Sequence, residues 1–286
     1  MFSAARNLPQ GDDAVWEERR IIWKEPATWA PALTAWLKPD YRKDAMRRLR
    51  PGQFRDLCWD DSDWLKVFER CIKGTVDDLI FNLGSALLPA IIRTYHGCRT
   101  DDAGSYFRDG LLTHDRERMR ARALAIIEAH EELHYFKPQF DRAIAEVDNE
   151  HDHGKAYVIL SDEAMLRDSA HYLVHGSEWI MSLFDECGRR ILRGLGAPTF
   201  IEIDLPAVMT HGNDRDQFAR VMLMEWTRLA CNGHDWSAPV DFSFLLIRDV
   251  PPAHIVGHHH PAKMTDPHDG MREYSSPATS CKLCAR

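Results

Sequence analysis

The residues with the clearest chemical potential follow an apolar run, in the segment "IIRTYHGCR". If this run continues as a strand, Tyr95 and Gly97 point to one face and His96 and Cys98 to the other. Gly97 has no Cβ, so a ligand or a second backbone can approach it closely. An imidazole, an exposed backbone and the Arg99 cation at one strand end suit a ligand with ribose hydroxyls and phosphates.

A second possible chemistry at this position is nucleophilic. His96 and Cys98 share a face in an extended strand, and an imidazole beside a thiol can activate it. We favour a buried structural cysteine. The sequence contains no GxSxG, GxGxxG, GxxxxGK[ST] or HExxH motif. It therefore offers no support for a serine hydrolase, a doubly wound dinucleotide fold, a P-loop enzyme or a zincin protease.

Metal-binding residue types cluster near the C-terminal end. Cys281 and Cys284 form "CKLC", which has the spacing of a zinc knuckle. A structural zinc needs about four ligands, and this pair provides two. The histidines at 258–260 and His268 could complete the set. We favour a flexible tail with two exposed thiols, and so predict no metal site.

The composition sets limits on the class of protein. The chain has 286 residues and a formal net charge of -8, which weighs mildly against nucleic acid as a partner. No run reaches the ~18 apolar residues that a membrane helix needs, so no membrane partner is expected. The first residues lack an apolar core long enough for a secretory signal. Seven cysteines, five of them scattered, indicate free thiols in a reducing cytoplasm.

The first part of the chain has helical periodicity. In "PATWAPALTAWLK", Trp29, Leu33, Trp36 and Leu37 recur at three- and four-residue steps, which is one apolar face of a helix. A second periodic stretch is "DSDWLKVFERCIKGTVDDLIFNLGSALL". The tryptophans of this part are expected to pack in a core. We predict a helical N-terminal region over residues 1–90.

The rest of the chain mixes both kinds of element. The segments "AYVILSD", "PTFIEIDLP" and "VDFSFLLIRDV" are typical of strands. Helices are predicted from Thr113, through "MLRDSAHYLVHGSEWIMSLFDECGRRIL" with a possible break at Gly176, and over "DRDQFARVMLMEWTRLAC". Because the strands do not alternate regularly with helices, an α+β domain over residues 91–258 is expected. Residues 259–286 are predicted to form a loosely packed tail.

Three segments together resemble one family. "YHGCRTDDAGSYFRDGLL" is similar to the first conserved segment of the ADP-ribosyltransferase superfamily, particularly its diphtheria-toxin-like, His-Tyr-Glu branch. "AYVILSDEAMLRDSAHYLVHGSE" resembles the second segment. "DFSFLLIRDVPPAHIVG" resembles a late strand and turn of DNA-modifying ADP-ribosyltransferase toxins and of RNA 2′-phosphotransferases, which share the fold.

This resemblance implies a cleft between two small sheets that binds NAD as a substrate. His96 would bind the adenosine ribose, and the Gly97 backbone would receive the nicotinamide amide. Ser161 would end the strand of the second segment, and Tyr172 would stack on the nicotinamide ring. Arg99 would reach the pyrophosphate.

The catalytic carboxylate is the point where this sequence departs from the family. The family has a Glu at the start of the late strand, where this chain has Asp241 in "PVDFSF". Glu178 in "HGSEW" is the second candidate, and Glu225 in "LMEWTR" is the third. Such a group would stabilise the positive charge that develops on the ribose as its bond to nicotinamide breaks.

The expected activity is transfer of ADP-ribose from NAD to a macromolecule, protein or nucleic acid, with release of nicotinamide. An NAD-dependent RNA 2′-phosphotransferase is the first alternative, and a cluster of arginines around His96 would favour it. The second alternative is a non-catalytic binding module on the same fold. The absence of any carboxylate near Tyr172 would favour that one.

Overall fold

The computed structural model describes residues 12–49, 57–147, 153–233, 235–276 and 281–284. Its α-helices are α1 Pro26–Leu37, α2 Ala45–Arg48, α3 Asp63–Glu69, α4 Val76–Ala86, α5 Gly104–Asp109, α6 Arg116–Ala129, α7 Phe140–Val147, α8 Asp162–Asp168, α9 His171–His175, α10 Glu178–Leu183, α11 Glu186–Gly194 and α12 Gly212–Asn232. Short 3-10 helices are Asp13–Trp16, Lys38–Asp40, Glu131–Gln139, Ala207–Met209, Pro252–His254 and Pro267–Asp269.

The strands are β1 Arg20–Ile21, β2 Ile91–Thr100, β3 Ala156–Ile159, β4 Ala197–Pro206, β5 Ser243–Leu246, β6 Ile255–His259, β7 Lys263–Asp266 and β8 Arg272–Ser275. One sheet has the order β5-β3-β2-β4-β6, with β1 pairing in parallel with β2. The pairs β2·β3 and β4·β6 are antiparallel, and β7 and β8 form a separate antiparallel hairpin. This mixture of helices and small sheets fits the predicted α+β class.

The chain divides into two compact units. The first unit contains residues 1–93 and 204–244, and the second contains residues 94–203 and 245–286. The chain therefore passes from one unit to the other within β2, within β4 and within β5.

Helices and tryptophans build the core of the first unit. Helix α12 packs against α3 and α4. Its Trp226 lies edge-on to Phe68, at 6.0 Å between ring centroids, and its indole N–H donates to Thr34 Oγ1 at 2.9 Å. Trp23 stacks on Trp29 at 5.3 Å. The expectation that the N-terminal tryptophans pack in a core is confirmed for the five that are 0–2% exposed, Trp16, Trp23, Trp29, Trp36 and Trp64.

Local capping determines where several helices begin. The periodic stretch over residues 61–88 is divided into α3 and α4. Helix α4 starts after Thr75, because the Thr75 side chain accepts a hydrogen bond from the Asp78 N–H. Helix α6 begins at Arg116 and not at Thr113, because Asp115 is its N-cap residue and accepts from the Arg118 N–H at 2.7 Å.

The second unit has two apolar clusters. One surrounds β2 and includes Tyr95, Phe200 and Met264. The other joins α6, α7 and α10 through buried side chains such as Ile127, Phe140 and Ile180.

Residues 263–275, in the region predicted as a loose tail, instead form the β7·β8 hairpin. Met264 and Asp266 of this hairpin are 3% and 1% exposed.

Candidate functional site

The face of β2 that carries Tyr95 and Gly97 is covered by helices. Tyr95 is buried with Phe200 and Met165 in one cluster. A Cβ added at Gly97 would collide with the Met165 sulfur and lie 3.5 Å from Leu173. The absence of a Cβ at Gly97 leaves the space that the Met165 side chain occupies against the strand. The Met165 side chain fills the space beside Gly97 that the resemblance assigns to nicotinamide.

His96 points to the opposite face of β2. Its half-buried ring lies 6.1 Å from the Tyr106 ring. Nδ1 is 3.2 Å from the Tyr157 carbonyl oxygen. A carbonyl can only accept, so Nδ1 carries the proton and Nε2 keeps a lone pair. Burial lowers the pKa of His96, and the Tyr157 carbonyl offsets part of this effect. The ring is therefore neutral at pH 7, and Nε2 can accept a hydrogen bond from a ligand hydroxyl.

Cys98 lies on the same face as His96 but is not a reactive thiol. It is 4% exposed, and burial raises its pKa to about 11. The thiol is therefore protonated at neutral pH, which supports the structural role favoured from the sequence. Burial also raises the pKa of Tyr106, and the charges of Arg118 and Arg122 act against this shift. Two cations of α6 thus lie near this face.

The structure gives Arg99 a different role from the predicted contact with pyrophosphate. Its guanidinium donates to four carbonyl oxygens, those of Leu173 at 3.1 Å, Arg193 at 2.6 Å, Leu195 at 3.0 Å and Gly196 at 3.0 Å. These bonds join β2 to the end of α9 and to the turn after α11. The half-buried Arg99 side chain links these elements to each other.

Ser161 also has a structural partner. It ends the β3 segment as predicted and is the N-cap residue of α8, where its Oγ accepts from the Ala164 N–H at 3.2 Å. This bond satisfies one of the free N–H groups of the first turn.

A tyrosine and a carboxylate meet where α9 ends and α10 begins. Gly176, at φ 90°, breaks the helix as the sequence predicts, and Ser177 caps α10. The break places Glu178 in the first turn of α10, where its Oε2 accepts a 2.7 Å hydrogen bond from the Tyr172 hydroxyl. The Glu178 side chain is 53% exposed, so its other lone pairs face solvent.

His171 joins this pair, and sequence reasoning did not select it. Its Nε2 is 3.8 Å from Glu178 Oε2, and its ring lies 4.2 Å from Tyr172 and 4.6 Å from His268. Within the described residues, neither ring nitrogen of His171 has a hydrogen-bond partner. Burial lowers its pKa, and the Glu178 charge acts in the opposite direction.

A buried histidine–carboxylate hydrogen bond connects α9 to the hairpin. His175 Nε2 lies 3.0 Å from Asp266 Oδ2, with side-chain exposures of 3% and 1%. Burial lowers the pKa of His175, and the hydrogen bond to Asp266 offsets part of this shift. The pair is isolated from solvent, so we assign it a structural role.

The other two candidate carboxylates belong to the first unit. Glu225 is 4% exposed, binds Arg228 through two bonds of 2.7 and 2.8 Å, and accepts from the Ala238 N–H at 2.7 Å. This geometry makes Glu225 a structural residue. Asp241 is exposed and lies two residues before β5. Glu178 is the candidate that shares a unit with His96 and Tyr172.

A second acid–imidazole group lies across β4 and β6. His259 Nδ1 is 3.1 Å from Glu202 Oε1, and its Nε2 is 3.5 Å from Asp162 Oδ2. Hydrogen bonds from the His259 ring to the carboxylates of Asp162 and Glu202 raise the pKa of His259, although burial opposes them. The three residues are far apart in sequence, and no local motif indicates that they meet.

Two histidines and two cysteines converge at the end of β6. One ligand-type atom from each of His258, His260, Cys281 and Cys284 lies within 4.8 Å of the others. His258 Nε2 is 3.2 Å from Cys284 Sγ and 3.8 Å from Cys281 Sγ. Cys281 is completely buried, so the interpretation of two exposed thiols is wrong for that residue.

Comparisons with known proteins do not assign this chain to a family. No protein-family model, curated protein or solved structure matches it. Among the described residues, no helix is both long enough and apolar enough to cross a membrane.

Proposed function

We propose that the second unit binds NAD and transfers its ADP-ribose group to a macromolecular acceptor, with release of nicotinamide. The observation that carries this proposal is the 2.7 Å hydrogen bond from the Tyr172 hydroxyl to Glu178. It holds a half-exposed carboxylate beside an aromatic ring. A carboxylate can stabilise the positive charge of an oxocarbenium-like transition state, and the resemblance assigns the nicotinamide to this aromatic ring.

Each residue has a distinct part in this proposal. The Tyr172 ring supplies a flat apolar surface for the nicotinamide. Glu178 would accept hydrogen bonds from ribose hydroxyls and stabilise the positive charge that develops on the sugar. His96 lies on the face of β2 away from α8 and α9, so its Nε2 would accept a hydroxyl of the adenosine ribose and not of the ribose beside Glu178. Arg118 and Arg122 are better placed than Arg99 to attract phosphates, because four carbonyls already occupy Arg99.

The presence of Glu178 near Tyr172 supports a catalytic function over a non-catalytic module. A purely binding role is favoured if no carboxylate lies near Tyr172, and this condition is not met. The buried pair of Glu225 with Arg228 makes a catalytic role of Glu225 unfavourable, because removal from that pair would leave a buried charge.

The test is nicotinamide release from labelled NAD by the full chain, together with transfer of label to added protein and nucleic acid. Glu178→Gln is expected to reduce turnover by about 10²–10³-fold, the size seen when one charge-stabilising group is removed. Glu163→Gln is the matched control, because Glu163 is also an exposed acid in the first turn of a helix of this unit. It should retain turnover.

Two results would overturn the proposal or its site. If the wild-type protein neither binds NAD nor releases nicotinamide, the function is wrong. If turnover survives Glu178→Gln and is lost in Asp241→Asn, the carboxylate is misassigned. Tyr172→Phe keeps the ring and removes the hydroxyl, so it should retain NAD affinity and reduce turnover.

A second candidate function is the NAD-dependent RNA 2′-phosphotransferase. The observation in its favour is the positive charge of Arg118 and Arg122 beside Tyr106, which in turn lies next to His96. An oligoribonucleotide with an internal 2′-phosphate distinguishes the two reactions. Loss of that phosphate with NAD present would favour the phosphotransferase, and label transfer without dephosphorylation would favour ADP-ribosyl transfer.

A further inference from the structure

We propose that His258, His260, Cys281 and Cys284 bind one zinc ion, which has a structural role in the second unit. The site is independent of the proposed NAD chemistry. It rests on the convergence of four ligand atoms from two chain segments, 258–260 and 281–284.

The separations are close to those of a tetrahedral centre. With Zn–S bonds of about 2.3 Å and Zn–N bonds of about 2.0 Å, neighbouring ligand atoms lie about 3.3–3.8 Å apart. The observed atoms all lie within 4.8 Å of one another, and His258 Nε2 already approaches both sulfurs at 3.2 and 3.8 Å. Shifts of about 1 Å would complete the tetrahedron around zinc.

His260 is held in the orientation that a ligand needs. Its Nδ1 lies 2.9 Å from the Pro198 carbonyl oxygen and 3.1 Å from Thr199 Oγ1. The carbonyl fixes the proton on Nδ1, which leaves the lone pair on Nε2. Within the described residues, this Nε2 is buried and has no hydrogen-bond partner. A buried acceptor without a donor is costly, and a bound cation removes that cost.

The Cys281–Cys284 turn is fixed by contacts with the segment that precedes α5. The Lys282 N–H donates to the Asp101 carbonyl at 3.0 Å, and its ammonium contacts the Asp101 carboxylate at 2.8 Å. These bonds hold the Cys281–Cys284 turn next to the start of α5.

The ligand set selects the metal and its role. Two thiolates and two imidazoles in tetrahedral geometry suit zinc, whereas Mg²⁺ and Ca²⁺ prefer oxygen ligands. Four protein ligands leave no open position for water or substrate, so the site is structural. Zinc would fasten the 281–284 segment to β6 and to α5, where Phe107 lies edge-on to His258 at 6.0 Å.

The test is metal content and metal-dependent thiol protection of the purified full chain. We expect about one zinc ion per chain, falling below about one tenth in Cys281→Ser and in Cys284→Ser. Cys187→Ser and His254→Gln are the matched controls, since neither residue belongs to the four-residue cluster. Both should keep the metal.

A second measurement remains valid if a cysteine variant fails to fold. The wild-type protein is stripped with a chelator and titrated with Co²⁺, whose thiolate complexes absorb visible light when tetrahedral. We expect saturation at one equivalent and protection of Cys281 and Cys284 from alkylation, as read by mass spectrometry. A wild-type protein that holds no zinc and binds Co²⁺ without protecting these thiols would overturn the proposal. So would metal retention in both serine variants.

Discussion

Replacing Arg99 with methionine separates a structural arginine from one that binds phosphate. Arg99→Met keeps much of the side-chain length and removes every donor. In the folded protein this leaves four carbonyls without the guanidinium, those of Leu173, Arg193, Leu195 and Gly196. If Arg99 served a ligand, the folded protein would lose little stability.

The size of the effect follows from the exposure of the acceptors. A hydrogen bond to a charged group contributes about 1.5–3 kcal/mol. The Leu173 backbone is buried, whereas Arg193, Leu195 and Gly196 are half-buried and regain some water. We take the lower value for the Leu173 carbonyl and half of it for each of the three half-buried carbonyls. The sum is a loss of about 4 kcal/mol in the free energy of unfolding. For a unit of this size, the melting temperature should fall by roughly 10 °C.

The assay is urea and thermal unfolding followed by far-UV circular dichroism, with hydrogen exchange at residues 193–196 as the local readout. Arg190→Met is the control, because Arg190 is an exposed arginine of α11, the helix whose Arg193 carbonyl accepts a hydrogen bond from Arg99. Its stability should change by less than about 0.5 kcal/mol. An Arg99→Met protein as stable as wild type, but with weakened NAD binding, would refute the structural assignment.

Two further predictions concern buried titratable residues. Glu225→Gln should cost about 3–5 kcal/mol in the free energy of unfolding, because Arg228 keeps its buried charge without a carboxylate. Urea unfolding measures this change. Normal stability together with lost NAD turnover would contradict the prediction. The pKa of His175 is below its ordinary value of 6.5 because of burial, so below about pH 6.5 the unfolded chain binds a proton that the folded protein excludes. Stability should therefore fall as the pH drops through this window, and His175→Gln should reduce the difference in melting temperature between pH 5.5 and 7.5. An equal difference in both proteins would show that His175 does not contribute.

Local elements could be read from the sequence because their signals are local. The apolar spacing in α1 and the break at Gly176 depend on residues within a turn or two of each other, and both are found in the structure. The assignment of helix starts was less accurate, as at α6, because Asp115 competes with Thr113 for the N-cap position.

Contacts between distant residues could not be predicted in this way. The carbonyls that occupy Arg99 lie 74 to 97 residues further along the chain. Nothing in "YHGCR" indicates that they will converge on its guanidinium. The same limit applies to the four proposed zinc ligands, because the spacing of "CKLC" is informative but its histidine partners become visible only in the fold. His171 could have been selected from the sequence, since it directly precedes Tyr172.

The three passages of the chain between the two units have a consequence for folding and for dissection of the protein. Each unit is assembled from two separate segments, so neither can be obtained as one continuous fragment. Residues 1–93 cannot complete their unit until residues 204–244 are available, which makes the closing contacts long-range and folding correspondingly slow. A protease cut near residue 203 would place the two segments of each unit on different fragments. Neither fragment would then contain a complete unit, so a product with one intact unit should be rare.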